Sequence, residues 1–305
     1  MRLNVSTTSP STQSAVLNGA VLVLIQFDVC EEIRLDRLRD LRGGSVQRKP
    51  SMKNPAPAYV RYERPPVVEP LEAIQLESGE RLAGEIKYYD YGVVSVVFQL
   101  PFSGDWGNLV HLASRWVWDV DFASRAEPVV KQKLAHCNDA LIRPYERWLS
   151  EDYFIFHVSD SAGKPSAREL IREHGAEIAQ VVRGDRIQLS EGECGEVLHS
   201  QISYYASDLT VIGWNAAFVY DSPSGAESAI QLLEYANSQL LEFRHYDELL
   251  TEILDRAYKL LEQRTGFLAR WRLAASARNL HTTAHDPAGR GRTDRASRQR
   301  HQVSE

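Results

Sequence analysis

Cysteine is scarce in this chain: Cys30, Cys137 and Cys194 are the three in 305 residues, far apart and never in a CxxC or CxxxC pair. That usage argues against a disulfide framework and against a cysteine-built zinc site, and it fits a reducing, cytoplasmic setting. Positive charge is in deficit as well, with a net charge of -6 and a pI near 5.9, so the basic footprint needed to bind a phosphate backbone is missing and no nucleic-acid partner is expected. Long apolar runs are absent too. The most apolar stretch, Ala20 to Phe27, is too short to span a bilayer, and only Arg2 supplies positive charge ahead of it, which is poor for a signal peptide. It reads as a buried strand. No phosphate loop is present: Gly104-Asp-Trp-Gly107 lacks a GK[ST] element, and no GxGxxG follows a strand. His136-Cys137 falls in an expected helix without converging ligands, so it reads as filler rather than as a metal site or nucleophile. No catalytic residue, metal or cofactor is therefore assigned, and the chain is read as a non-enzyme.

What is present is an ordinary globular composition, 43% hydrophobic and 25% charged, long enough for one large or two small cores. A Ser- and Thr-rich lead (1–14) precedes the strand Ala20–Phe27, and Ile33, Leu35, Leu38 and Leu41 predict a helix over Glu31–Leu41, stopped by Gly43-Gly44. Five prolines between Pro50 and Pro66 mark an extended connection. Leu71–Leu76 and Gly84–Leu100 read as strands, the second broken by a turn or bulge at Tyr88-Tyr-Asp-Tyr-Gly92, where Asp90 and Gly92 suit positive φ. Helices are predicted over Asp105–Trp118 and over Glu127–Leu149, the latter capped by Ser124 and Glu127. The second half repeats the plan: strand Tyr153–Val158, a helix from Ser166 with Glu169 completing its capping box, strands at Ile202–Tyr205 and Leu209–Tyr220, then helix. The expected class is α+β, two β-α-β-β-α (ferredoxin-like) halves at 15–122 and 151–223 joined by a connecting helix at 123–150.

From Ser224-Gly-Ala-Glu227, a third capping box, nothing interrupts helical periodicity until Gly266. A long amphipathic helix over 224–280 follows, of which the first forty or so residues alone reach roughly 60 Å. Its apolar stripe drifts near a heptad period, as coiled-coil packing requires. Leu233, Asn237, Leu240, Arg244, Asp247, Leu250, Leu254 and Leu261 are its candidate interaction residues. The polar members Asn237, Arg244 and Asp247, with Glu234, read either as a register-setting polar layer or as a solvated face. Residues 281–305 hold Val303 as their one aliphatic residue larger than Ala, so a disordered tail is expected. The loss of periodicity after Trp271 and Leu273 raises the alternative that the chain is truncated or frame-shifted near Leu280.

Tyr89, Asp90 and Tyr91, with Trp106 and His111, are the candidate lining of a ligand groove; turn chemistry for Asp90 and core packing for Trp106, Trp116 and Trp118 are the plainer alternatives. The leading expectation is a scaffold that self-associates, or docks another helical protein, through its long helix. The competing one is a small-molecule-binding regulatory domain or cryptic enzyme working at the aromatic surface near Tyr88–Tyr91 and Trp106.

The opening strand with Glu31-Glu-Ile-Arg-Leu-Asp36, the strand Tyr91-Gly-Val-Val-Ser-Val-Val97, and Phe218-Val-Tyr-Asp221 followed by Leu232-Leu-Glu-Tyr-Ala-Asn-Ser-Gln-Leu-Leu-Glu-Phe-Arg244 resemble the "required for meiotic nuclear division" domain family. The resemblance runs over residues 18–265 and implies a non-enzymatic α+β head, a long helical region and a C-terminal membrane anchor, hence a membrane-peripheral location. No apolar terminal helix stands in this sequence, and the resemblance carries over no catalytic residue.

Overall fold

The structure is a computed structural model that describes residues 16–42, 64–76 and 79–264. In chain order the elements are β1 (Leu17–Ile33), α1 (Leu35–Arg42), β2 (Val67–Gln75), β3 (Arg81–Tyr88), β4 (Val93–Gly104), α2 (Trp106–Asp119), α3 (Phe122–Leu134), β5 (Leu141–Ser161), α4 (Ala167–Arg183), α5 (Glu191–His199), β6 (Gln201–Ile202), β7 (Leu209–Ile212), β8 (Ala216–Tyr220) and α6 (Pro223–Arg264). All eight strands join one mixed sheet in the order β2-β3-β4-β1-β5-β8-β7-β6. The chain divides into two compact units, residues 1–246 and 247–305, and the sheet lies in the first.

The structure does not confirm the two ferredoxin-like halves. In the first half β1 pairs with β4 antiparallel and β2, β3 and β4 form an antiparallel meander, whereas a ferredoxin-like unit would place its first strand beside a parallel neighbour. The second half does hold such a pair, β5 parallel to β8, with β7 antiparallel outside it. β1 and β5 stand side by side in antiparallel register over most of their length, which fuses the halves into one core.

β5 corrects the largest reading from sequence. The helix predicted over Glu127–Leu149 is instead α3, ending at Leu134, followed by a 3-10 turn at Asn138–Ala140 and then strand. The cap is Asp121, whose carboxylate accepts from the Ser124 N–H at 2.9 Å, while Glu127 pairs with Lys131 one turn on. Pro144 could not have continued a helix, because it lacks the N–H and crowds the preceding turn. It sits opposite Cys30, where the β1–β5 register shifts and Arg143 takes a positive φ. His136 and Cys137 therefore lie in the turn after α3 rather than within a helix. The helix predicted from Glu31 starts only at Leu35, because Glu32 and Ile33 still pair with Ile142 and Leu141 of β5. Nor does Ser224 cap α6: Ser222 Oγ accepts from the Gly225 N–H at 3.2 Å, and Pro223 takes the first helical position, where its missing N–H costs nothing. By contrast the Ser166–Glu169 capping box forms with both of its bonds.

Alternation along β1 sorts the two faces. Val21, Val23, Ile25, Phe27 and Val29 belong to the main core, with α2, α3 and α4 supplying Trp116, Phe122 and Ile178. Leu22, Leu24, Gln26 and Asp28 point the other way, toward α6. There the apolar cover is thin: one small cluster of Leu24, Val97, Ile155, Val219, Ala226 and Leu233, and a second of Tyr89, Val93 and Leu241. Polar residues fill the space between them. The lead 1–14, most of the proline-rich connection, the helix beyond Arg264 and the tail lie outside the described residues.

Candidate functional site

Within the first unit, α6 presents Ala226, Leu233, Glu234, Asn237, Ser238 and Leu241 as its buried residues, which recur at three, four or seven positions along one helix face. Two of the candidate interaction residues, Leu233 and Asn237, are thus turned onto the chain's own sheet, while Leu240 is exposed and the buried position is Leu241. Asn237 donates from Nδ2 to the Leu233 carbonyl at 2.8 Å, back-bonding within the helix. Arg244 is half-buried, paired with Glu151 and held over the Trp214 ring at 5.9 Å. Asp247 is exposed in the second unit. Of the two readings of this polar stretch, a buried layer describes Glu234 and Asn237, and a solvated face describes Asp247.

Glu234 is the centre of the strip. Its side chain is 2% exposed, yet each carboxylate oxygen is met: Oε2 accepts from Lys87 Nζ at 2.6 Å and Oε1 from Ser95 Oγ at 2.8 Å. Its backbone carbonyl accepts from Gln26 Nε2 at 2.9 Å. Lys87 also lies 3.2 Å from Glu85. Burial works against the Lys87 charge, but the two carboxylates outweigh it and hold the ammonium above the ordinary lysine range. Strands β1, β3 and β4 thereby converge on one helix residue, since Gln26 is opposite Ser95 and Lys87 is opposite Ser95 in register. One turn on, Ser238 Oγ and the Tyr91 hydroxyl are 2.6 Å apart, and Tyr91 stacks on Tyr89 at 5.2 Å.

A second group lies near the end of the first unit. Asp28, 1% exposed, has Oδ2 at 2.9 Å from His245 Nδ1, out of line for a hydrogen bond, and neither oxygen has another hydrogen-bond partner among the described residues. The His245 ring stacks on Tyr145 at 4.4 Å. Burial, with a contribution from Glu242, pushes the Asp28 carboxyl up to about 8, and burial raises Glu242 to about 7. Cys30 is pushed up to about 12, chiefly by burial, and donates weakly to the Glu32 carbonyl at 3.2 Å. Such a thiol stays protonated and is a poor nucleophile.

The proposed aromatic groove is not assembled. Tyr89 is buried with Leu241 under α6, whereas Trp106 packs on His174 and Phe218 in the main core. Phe218 points away from its neighbours Ala217 and Val219, which face α6, so Tyr89 and Trp106 lie on opposite faces of the sheet. His111 is exposed on α2, and Asp90 is a half-buried turn residue whose carbonyl accepts from the Ile33 N–H at 2.9 Å. Sequence reasoning did not single out Gln26, Asp28, Lys87, Ser95 or His245. The available signal was a polar residue at every second position, Gln26 and Asp28, inside an otherwise apolar run. Among the described residues, no group of three or more His, Cys, Asp or Glu side chains is arranged to hold a metal ion, and no helix is long and apolar enough to cross a membrane.

A family model described as "Uncharacterized protein MJ0711, N-terminal domain" matches residues 18–227, more than half of the chain. The chain belongs to this family. The match runs from the start of β1 to the first turns of α6, so it takes in the whole sheet, with Gln26, Asp28, Lys87 and Ser95, but not Glu234 or His245. A relative bearing that name, "Uncharacterized protein MJ0711" of Methanocaldococcus jannaschii, is 22% identical over 117 residues, 38% of this chain and 35% of the relative. The aligned part thus spans about a third of that relative's length. No solved structure matches. The family's description does not repeat the meiotic-division resemblance, and neither name states a reaction or a partner.

Proposed function

We propose that this protein is a non-enzymatic scaffold that associates through the last part of its long helix, with a second copy of itself as partner. One observation carries the reading: in the second unit, Leu249, Leu250, Ile253, Leu254 and Tyr258 are all exposed, from 41% to 65%. Single exposed apolar residues need no explanation, but five within three turns make a continuous stripe. Leu250, Ile253 and Ala257 follow the 3-4 spacing of a coiled-coil seam, and Leu254 keeps to its flank. A helix segment carrying such a stripe gains by covering it, at roughly 1.5–3 kcal/mol for each large aliphatic side chain fully buried. The meiotic-division resemblance adds a finer expectation to this reading, that the assembly docks at a membrane and that the protein is cytoplasmic and membrane-peripheral.

Light scattering of the full chain tests the proposal. A dimer or higher oligomer is expected for the native sequence, and a monomer for Leu250→Lys/Leu254→Lys, with the urea midpoint of the head unchanged. A native chain that is monomeric at about 100 μM, well above the micromolar Kd typical of weak specific pairs, would reject self-association. Unchanged mass in the double variant would move the contact elsewhere.

A further inference from the structure

Between the first turns of α6 and the outer face of the sheet runs a cleft of about 330 Å³ within the first unit, at the small end of the range for ligand pockets. Its floor is apolar, Leu22, Val68 and Val97, and Ile230 closes it from the helix. Its polar groups are unevenly signed: Glu85, Glu227 and Glu234 stand against the ammonium of Lys87 alone. Lys87 is already committed to Glu234 and Glu85, at 2.6 and 3.2 Å. His157 adds no charge near neutral pH, because burial lowers its pKa, and its Nε2 is engaged with the Asp221 carbonyl at 2.9 Å. A further acceptor is in excess. Gln231 Oε1 is buried and accepts no hydrogen bond among the described residues, while Gln231 Nε2 points to Glu227 at 3.5 Å. A buried acceptor left so keeps its desolvation cost unless a donor reaches it. Beside this cleft, and sharing Leu22, Val68 and Val97 with it, a second hollow continues over Pro70, Ala83 and Gly84.

We propose that this cleft binds a small organic cation: a primary ammonium head that donates to Gln231 Oε1 and the Glu227 carboxylate, on an unbranched apolar body lying over Leu22, Val68 and Val97. The donors of an ammonium match an acceptor-rich, net negative site, and charge-assisted bonds are the stronger class. An anion would meet three carboxylates and would have to displace one of them from Lys87. A neutral chain would leave the net negative charge of the site unanswered, and a hydroxyl brings one donor where an ammonium brings three. The site is independent of the stripe on the second unit, so either reading can fail without the other.

The test is calorimetric titration of the full chain with n-hexylamine, with hexanoate and 1-hexanol at matched ionic strength as controls. Saturable binding of hexylamine with a Kd between about 10 μM and 1 mM is expected, in line with what so few heavy atoms can supply, with no saturable heat from either control. Glu227→Gln and, separately, Gln231→Leu should each weaken hexylamine at least tenfold while leaving the ligand-free thermal midpoint within a few degrees. Three results would overturn the proposal: hexanoate binding as well as the amine, which would make Lys87 the recognised group; hexylamine binding that survives both variants; or no saturable binding at millimolar amine by a folded chain.

Discussion

Glu234 shows how one residue ties a helix to three strands. Removing a single partner from a buried ion pair leaves the other charge without compensation, so Lys87→Met and Glu234→Gln should each destabilise the fold by about 3–5 kcal/mol. The double variant should cost clearly less than the sum, and urea denaturation through a double-mutant cycle measures the difference. Additive losses would mean that the two side chains do not share one contact. Asp28 makes the opposite kind of prediction. Its ordinary value is 3.8 and burial lifts it to about 8, while Glu242 rises from 4.5 to about 7. Between those ordinary values and about 8 the folded chain holds more protons than the unfolded one, so stability falls as pH rises across that window. His245, Tyr145 and Cys30 share the pocket with Asp28. The urea midpoint is expected to drop from pH 6 to pH 8.5, and Asp28→Asn should flatten that slope and raise the midpoint at pH 8.5. A native midpoint that holds constant or climbs over that range would show that Asp28 ionises freely.

At the scale of elements, α6 is seated by few apolar contacts, and Leu241 is the fully buried one in the smaller cluster. Leu241→Ala should cost about 2–5 kcal/mol, the range for buried leucines, and should loosen the helix near Tyr89 and Tyr91. Amide exchange would report the loosening as lost protection over 234–245, with protection in β5 and β8 kept. The β3–β4 turn offers a backbone counterpart. Gly92 has a φ of +91°, and a Cβ there would sit 1.8 Å from the Cys30 carbonyl oxygen. Gly92→Ala should therefore destabilise by more than the roughly 1 kcal/mol of an unstrained exchange, seen as a lower thermal midpoint. The turn, the strands on both sides of it, α2 and the Ser166–Glu169 box were all legible in the sequence, because each rests on neighbours within a few positions. The first part of β5 was not: Leu141–Leu149 has apolar spacing that a helix could use, and only pairing with β1, more than a hundred residues away, makes it strand, whereas Tyr153–Val158 in the same strand was read as one.

For the whole molecule, the division into two units separates two kinds of surface on one helix. The buried residues of α6 between Ala226 and Leu241 are spent on the sheet, which corrects the expectation that the entire stripe awaits a partner, whereas Leu249, Leu250 and Leu254 in the second unit are exposed. Composition, the shortage of cysteine and the absence of a long apolar run followed from the chain as written, as did the start of α4, whose Ser166–Glu169 box is chemically local. The amphipathic character of α6 was written there too, since a 3.6-residue period is a property of the sequence. Which leucine faces the sheet, Leu241 rather than Leu240, was decided by tertiary packing, because one residue along a helix is a turn of about 100° and periodicity alone leaves the phase free. The polar strip was decided the same way: Gln26, Lys87, Ser95 and Glu234 are dispersed along the chain, and only the register of β1, β3 and β4 beneath the helix brings their charges and hydrogen-bonding groups within reach of one another.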